Sequence, residues 1–222
     1  MSFWSEILET LREHGPLALF LQTKDPRNTV TFTIAMIGLA AKLAKADGRV
    51  TVDEVAAFRQ IFHIEPEQEE NVARVFNLLR QDVAGYREYA RQIVRLFGER
   101  DPVLEDIIDA LFHISMADGI YHPDEDLYLR EVAEIFGLTP ACVRKFKSRY
   151  VPDFWDAHSV LGVDESTSPE EVRRVWRDLV RQNHPDRLRA NGLPEEMMEL
   201  ANRRLVDINR AYEELRQKTT AS

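Results

Sequence analysis

The sequence predicts an all-α fold, because signals for helix boundaries recur along the chain and alternating strand patterns are nearly absent. Capping residues stand directly before prolines at Asp101-Pro102, Thr139-Pro140 and Ser168-Pro169, as they do where helices begin. Glycines follow several apolar-periodic segments, as they do where helices end. The predicted helices cover residues 3–13, 29–46, 52–62, 66–80, 84–97, 103–117, 123–136, 140–149, 155–161, 169–182 and 194–216.

The composition restricts the class of protein. A chain of 222 residues suffices for one or two domains, and 44% hydrophobic with 30% charged residues is typical of a globular protein. The single cysteine, Cys142, excludes an intramolecular disulfide and a cage of thiolate ligands, and it fits a reducing compartment. A net charge of -9 argues against nucleic-acid binding, so no nucleic-acid partner is expected.

No segment predicts a transmembrane helix. The most apolar stretch, residues 30–44, contains Lys42 and is shorter than the roughly 20 apolar residues that a span needs. Residues 1–27 are predicted to form an amphipathic helix and a linker. The acidic polar face of that helix favours packing on a core or a partner helix over a membrane surface. We expect a cytoplasmic protein, with peripheral association with the inner membrane as the alternative.

An internal repeat lies in the first two-thirds of the chain. The tripeptide Ala-Asp-Gly occurs at 46–48 and again at 117–119, 71 positions later, and an Asp-Glu pair follows each copy. An apolar helix precedes each turn and an amphipathic helix follows it. The pattern predicts a duplicated helical hairpin within one bundle.

The acidic residues of the two turns have two explanations. The glycine ends the first helix with a positive φ, and the acidic residues favour the amino terminus of the next helix. Alternatively, the carboxylates of the paired hairpins converge on a divalent cation. The spacing of an EF-hand loop is missing, which favours helix termination. The candidate metal ligands are Asp47, Asp53, Glu54, Asp118, Asp124 and Glu125.

The duplicated acidic turn in a helical unit at residues 28–150 resembles the TerB-like domain of tellurite-resistance proteins. The resemblance implies an acidic helical module that binds metal or other proteins, with no established catalysis.

A different pattern begins at residue 155. His184, Pro185 and Asp186 stand in a predicted loop between two helices that must run antiparallel, 169–182 and the last helix. Pro185 restricts the backbone, so the turn presents His184 and Asp186 with limited freedom.

Arginines recur on the helix that precedes this loop. Arg173, Arg177 and Arg181 follow one another every four residues and share a face, with Arg174 beside them. Such a face is either simply solvated or binds an acidic partner, although the whole chain is acidic.

Residues 155–218 are similar to the J domain of DnaJ-type co-chaperones. Residues 160–163 resemble the end of the family's first helix, Trp176 stands at the usual tyrosine position, and residues 207–215 resemble the core face of the third helix. The signature is His184-Pro185-Asp186. The resemblance implies that this tripeptide and Arg173, Arg174, Arg177 and Arg181 bind a DnaK-type ATPase and accelerate its ATP hydrolysis.

The domain order also resembles a family. The sequence lacks the Gly/Phe-rich linker, zinc repeat and β-rich region of full-length DnaJ proteins. A TerB-like module followed by a J domain resembles the DjlA family, whose membrane-anchored members carry an amino-terminal span that this sequence does not show. We therefore expect a soluble relative.

Two main functional hypotheses follow, with a purely structural scaffold as a weaker third, and none of them is an enzyme. No serine or cysteine has the context of a nucleophile, and there is no glycine-rich phosphate loop. The main hypothesis is a co-chaperone of DnaK whose TerB-like domain recruits a client, a second copy as a homodimer, or a membrane protein. The alternative is a metal-responsive stress module of the tellurite-resistance type. No cofactor is certain, and a divalent cation at the TerB-like turns is the open alternative.

A metal titration separates the two hypotheses. If the acidic turns bind a divalent cation, calcium or manganese raises the thermal unfolding temperature, because the ion binds only the folded state. The Asp47→Asn, Asp118→Asn double variant should lose that rise. An unchanged melting temperature at saturating metal rejects the metal-responsive hypothesis.

Overall fold

The computed structural model describes residues 36–43, 69–81, 85–99, 102–190 and 198–221. All regular structure in these ranges is helical and none is strand, which confirms the all-α fold class. None of the helices in these ranges combines the length and the apolar character that crossing a bilayer requires. The amino-terminal segment predicted at 1–27, with its helix at 3–13, lies outside the described residues, and so does the helix predicted at 52–62.

After a helical segment at 36–43, the described residues form nine α-helices and one 3₁₀ turn, Pro152–Phe154. The helices are α1 Glu69–Gln81, α2 Tyr86–Phe97, α3 Pro102–Ser115, α4 Pro123–Ile135, α5 Pro140–Tyr150, α6 Ala157–Leu161, α7 Pro169–Gln182, α8 Pro185–Ala190 and α9 Met198–Ala221.

Local capping explains why the sequence locates several of these boundaries. Helix α7 has the predicted bounds at both ends, and the Ser168 hydroxyl accepts the backbone N–H of Glu171 at 3.3 Å. The Thr139 hydroxyl caps α5 in the same way. Helix α9 continues beyond the predicted end at 216, because neither glycine nor proline follows and a Lys218–Glu214 ion pair supports the last turns.

The chain divides into two compact units, Met1–Leu138 and Thr139–Ser222. In the first unit the hydroxyl of Tyr128 on α4 donates to the backbone oxygen of Leu39 at 2.8 Å. Tyr89 on α2 is fully buried, and its ring lies so close to Gly38 that a Cβ there would come within 2.7 Å of a ring carbon. Only glycine therefore fits at this contact.

Helices α3 and α4 form the second of the two predicted hairpins. Gly119 has a φ of +81°, as expected for the glycine of the turn. Pro123 opens α4, and the backbone N–H of His122 donates to Glu125 at 2.9 Å in a capping box that the sequence did not predict. The first hairpin's turn at 46–54 lies outside the described residues.

Helix α5 packs within the second unit. The predicted first domain ends at residue 150 and so includes α5, whereas α5 contacts α6 and its Arg149 binds Asp207 of α9 at 3.1 Å. The side chain of Arg149 is only 1% exposed. The domain limits 28–150 and 155–218 stay predictions.

Helices α7 and α9 form an antiparallel hairpin. Along α7, Trp176 bonds Asn209 and Asn183 bonds Arg204, so the partner numbers fall as the α7 numbers rise. Helix α6 packs on both helices. The buried core of the hairpin consists of Ala157, Val160, Leu161, Val172, Ile208, Ala211 and Leu215.

The buried ion pair between α5 and α9 should contribute to stability. Asp207→Asn is expected to lower the free energy of unfolding by about 2–3 kcal/mol, because the buried Arg149 guanidinium loses its compensating charge. Urea unfolding followed by circular dichroism measures the change.

The matched control is Glu199→Gln on the same helix. It removes the Arg203–Glu199 pair, which is exposed and should contribute less than about 1 kcal/mol. Equal losses in the two variants would show that burial of Arg149 does not raise the contribution of its ion pair.

Candidate partner-docking site

The His-Pro-Asp turn, defined here as His184, Pro185 and Asp186, joins α7 to α8. The sequence predicted a loop for all three residues, and this is wrong for two of them, because Pro185 and Asp186 form the first turn of α8. Proline fits the first helical position, where an N–H has no helical partner. The backbone oxygen of His184 accepts the N–H groups of Arg187 and Leu188 at 3.0 Å each.

A buried hydrogen bond holds the base of this turn. Arg204 on α9 donates to the side-chain oxygen of Asn183 at 3.1 Å, and the Asn183 amide donates to the backbone oxygen of Leu179 at 2.8 Å. Asn183 and Arg204 are 7% and 9% exposed. Neither residue is predicted from the sequence as part of the site. An asparagine directly after a helix was the available signal for Asn183, and Arg204 offered none.

The side chain of His184 is presented to solvent. It is 56% exposed, and its Nδ1 accepts the backbone N–H of Asp186 at 3.3 Å. The Asp186 carboxylate is more exposed still and lies 3.7 Å from the same nitrogen. The turn therefore combines a fixed backbone with two exposed polar side chains.

The arginine face, defined as Arg173, Arg174, Arg177 and Arg181, lies on the solvent side of α7. All four residues are exposed. Three of them, together with Asp178, line a shallow depression. The structure therefore brings the predicted arginines together on the helix that leads into the His-Pro-Asp turn.

Two carboxylates on α7 pair with arginines of this face. Arg174 donates from Nε to Glu171 at 2.9 Å and makes a second contact with the same carboxylate, and Arg181 pairs with Asp178. The hydrogen bond from Arg174 holds the pKa of Glu171 below its usual range. The same bond raises the pKa of Arg174.

Aromatic contacts behind α7 fix its position on α9. The rings of Trp176 and Tyr212 stack with centroids 4.3 Å apart, and Nε1 of Trp176 donates to Asn209 at 2.9 Å. At the start of the domain, Nε1 of Trp155 donates to Glu214 at 2.9 Å, and this bond lowers the pKa of Glu214.

In the acidic turn of the first unit, two carboxylates accept hydrogen bonds from nearby backbone N–H groups. Asp118 accepts the N–H of Ile120 at 2.9 Å, and Glu125 is 3% exposed in its capping box. Asp124 is exposed. Within the described ranges no three His, Cys, Asp or Glu residues are grouped to hold a metal ion. Asp47, Asp53 and Glu54 lie outside those ranges, so the metal site stays a prediction.

Two family models match the chain. The model described as "Tellurite resistance protein TerB" matches residues 33–148, and the model described as "DnaJ domain" matches residues 156–221. The helical hairpin with His-Pro-Asp at its turn is thus a J domain, which defines the class of protein. The chain belongs to the TerB family and carries this J domain on the carboxyl side, which confirms both resemblances.

Relatives named "Co-chaperone protein DjlA" resemble the chain over most of its length. The protein of Haemophilus ducreyi is 26% identical in an alignment that covers 88% of this chain and 78% of that protein. The protein of Escherichia coli K12 is 25% identical, with 97% and 92% covered. No solved structure matches the chain. The J domain and these relatives support a role as a DnaK co-chaperone.

The Trp176 contacts should stabilise the hairpin. Trp176→Ala is expected to lower the free energy of unfolding by about 2 kcal/mol, because the half-buried ring loses its stack on Tyr212 and its hydrogen bond to Asn209. Trp176→Phe keeps an aromatic ring and should cost about 1 kcal/mol. Chemical unfolding measures both, and a larger loss in the phenylalanine variant would contradict this order.

Proposed function

We propose that the chain docks on a DnaK-type ATPase through the arginine face and the His-Pro-Asp turn, and that docking accelerates ATP hydrolysis by that partner. The observation that carries the proposal is the exposed His184 on a turn whose base is held by the buried Asn183–Arg204 hydrogen bond. A group that is fixed before binding loses little conformational freedom when it docks.

The charge distribution favours an acidic surface as the docking partner. The whole chain carries a net charge of -9, whereas the arginine face concentrates four cations on one side of a single helix. Such a patch attracts an acidic surface and orients the chain during encounter. Because the chain as a whole is acidic, an acidic surface is repelled by the rest of the chain and attracted to this patch, which favours one docking orientation.

In this proposal the chain is a regulator that catalyses no reaction itself. The partner hydrolyses ATP, and His184, Pro185 and Asp186 transmit docking to it, as the resemblance to co-chaperones suggests. The TerB domain recruits a client or another partner, including a second copy of the chain or a membrane protein. The chain acts in the cytoplasm or at the cytoplasmic side of the inner membrane.

Steady-state ATP hydrolysis by the DnaK-type partner tests the proposal. The full chain should raise the rate, and His184→Gln should reduce that stimulation by about tenfold or more, which corresponds to roughly 1.4 kcal/mol. Glutamine preserves polarity at an exposed position, so the variant should fold normally. Circular dichroism checks this.

The matched control is His158→Gln, which replaces a half-buried histidine of α6 in the same domain. Stimulation by this variant should equal that of the unaltered chain. Absence of stimulation by the unaltered chain at saturating concentration would reject the proposal, and so would an equal loss in both histidine variants.

A further inference from the structure

Two ion pairs of identical spacing lie along one side of α7. Arg174 pairs with Glu171 and Arg181 pairs with Asp178, so each arginine lies three positions after its carboxylate. The pairs are seven positions apart, close to two helical turns, which places them on the same side of the helix. Both arginine side chains are thereby held toward the side of α7 that carries Glu171 and Asp178.

The other two arginines of the face, Arg173 and Arg177, differ in their ion pairing. Neither Arg173 nor Arg177 forms an ion pair with any residue that the structure describes. Nε of Arg177 donates to the backbone oxygen of Arg173 at 3.4 Å, a long hydrogen bond to an uncharged acceptor. The arginine face therefore contains two cations with carboxylate partners and two without.

We infer that Glu171 and Asp178 weaken docking on the acidic partner by holding Arg174 and Arg181 in intrahelical pairs. Arg173 and Arg177 then supply most of the electrostatic attraction. The inference rests on the proposed function and assigns unequal roles within its docking face. An arginine that binds a carboxylate of the partner must first leave its own carboxylate, and only Arg174 and Arg181 have one to leave.

The exposure of the two pairs sets the size of the effect. All four side chains are well exposed, with Asp178 the least exposed at 39%. Exposed pairs contribute little, so releasing one arginine should tighten docking by about two- to fivefold. Releasing both should tighten it by about tenfold, because the pairs are far enough apart to act nearly independently.

The first test compares two double variants that remove the same charge. Glu171→Gln with Asp178→Asn releases both arginines, and the dissociation constant for the DnaK-type partner should fall by about tenfold. Glu165→Gln with Glu170→Gln removes two exposed carboxylates near the start of α7 that form no ion pair with the residues described. This control should lower the constant by about twofold at most. Calorimetric titration of the full chain measures both constants.

The second test is a double-mutant cycle on Arg174 and Glu171. In the unaltered chain, Arg177→Ala should weaken docking several times more than Arg174→Ala. In the Glu171→Gln background, Arg174→Ala should weaken docking as much as Arg177→Ala does. Circular dichroism on each variant confirms that α7 is intact, since all these side chains lie on its surface.

The outcomes separate this inference from the proposed function. Equal tightening in the two double variants would show that only net charge matters, and it would overturn the inference while docking itself stands. Equal losses from Arg174→Ala and Arg177→Ala in the unaltered chain would overturn it as well. If the unaltered chain neither binds the partner nor stimulates its ATP hydrolysis, the proposed function and the inference both fail.

Discussion

The hydrogen bond from Arg204 to Asn183 determines where the His-Pro-Asp turn lies. Asn183 ends α7 by bonding to Leu179, and Arg204 ties the same residue to α9. Moving the turn would break this buried hydrogen bond, and losing a buried hydrogen bond costs free energy. His184 therefore has a fixed backbone and an exposed side chain. The docking that we propose for this residue uses both properties.

Signals confined to a few neighbouring residues explain which parts of the fold the sequence predicts. Ser168 and Thr139 stand before prolines, and both cap helices as expected. The position of Pro185 was ambiguous, because proline suits the first turn of a helix as well as a loop. The capping box at His122 was missed because histidine is an unusual capping residue.

Contacts between distant residues could not be predicted. Arg149 and Asp207 are 58 positions apart, and no local pattern marks either as a partner of the other. Within the arginine face, helical periodicity predicts that the four arginines lie together, but it predicts no difference in their ion pairs. The structure distinguishes them by their partners. The spacing rule for ion pairs on helices could have indicated Glu171 and Asp178, since both stand three positions before an arginine.

The packing of α5 on α6 limits how freely this J domain can be moved between proteins. Recombination at residue 155 would separate α6 and α9 from the helix that holds Phe146 and Arg149, both of which are buried in the second unit. The chimera would expose apolar surface and leave Asp207 without its buried partner. The unit that can be transplanted intact therefore begins near Thr139, ahead of the segment that carries the family signature.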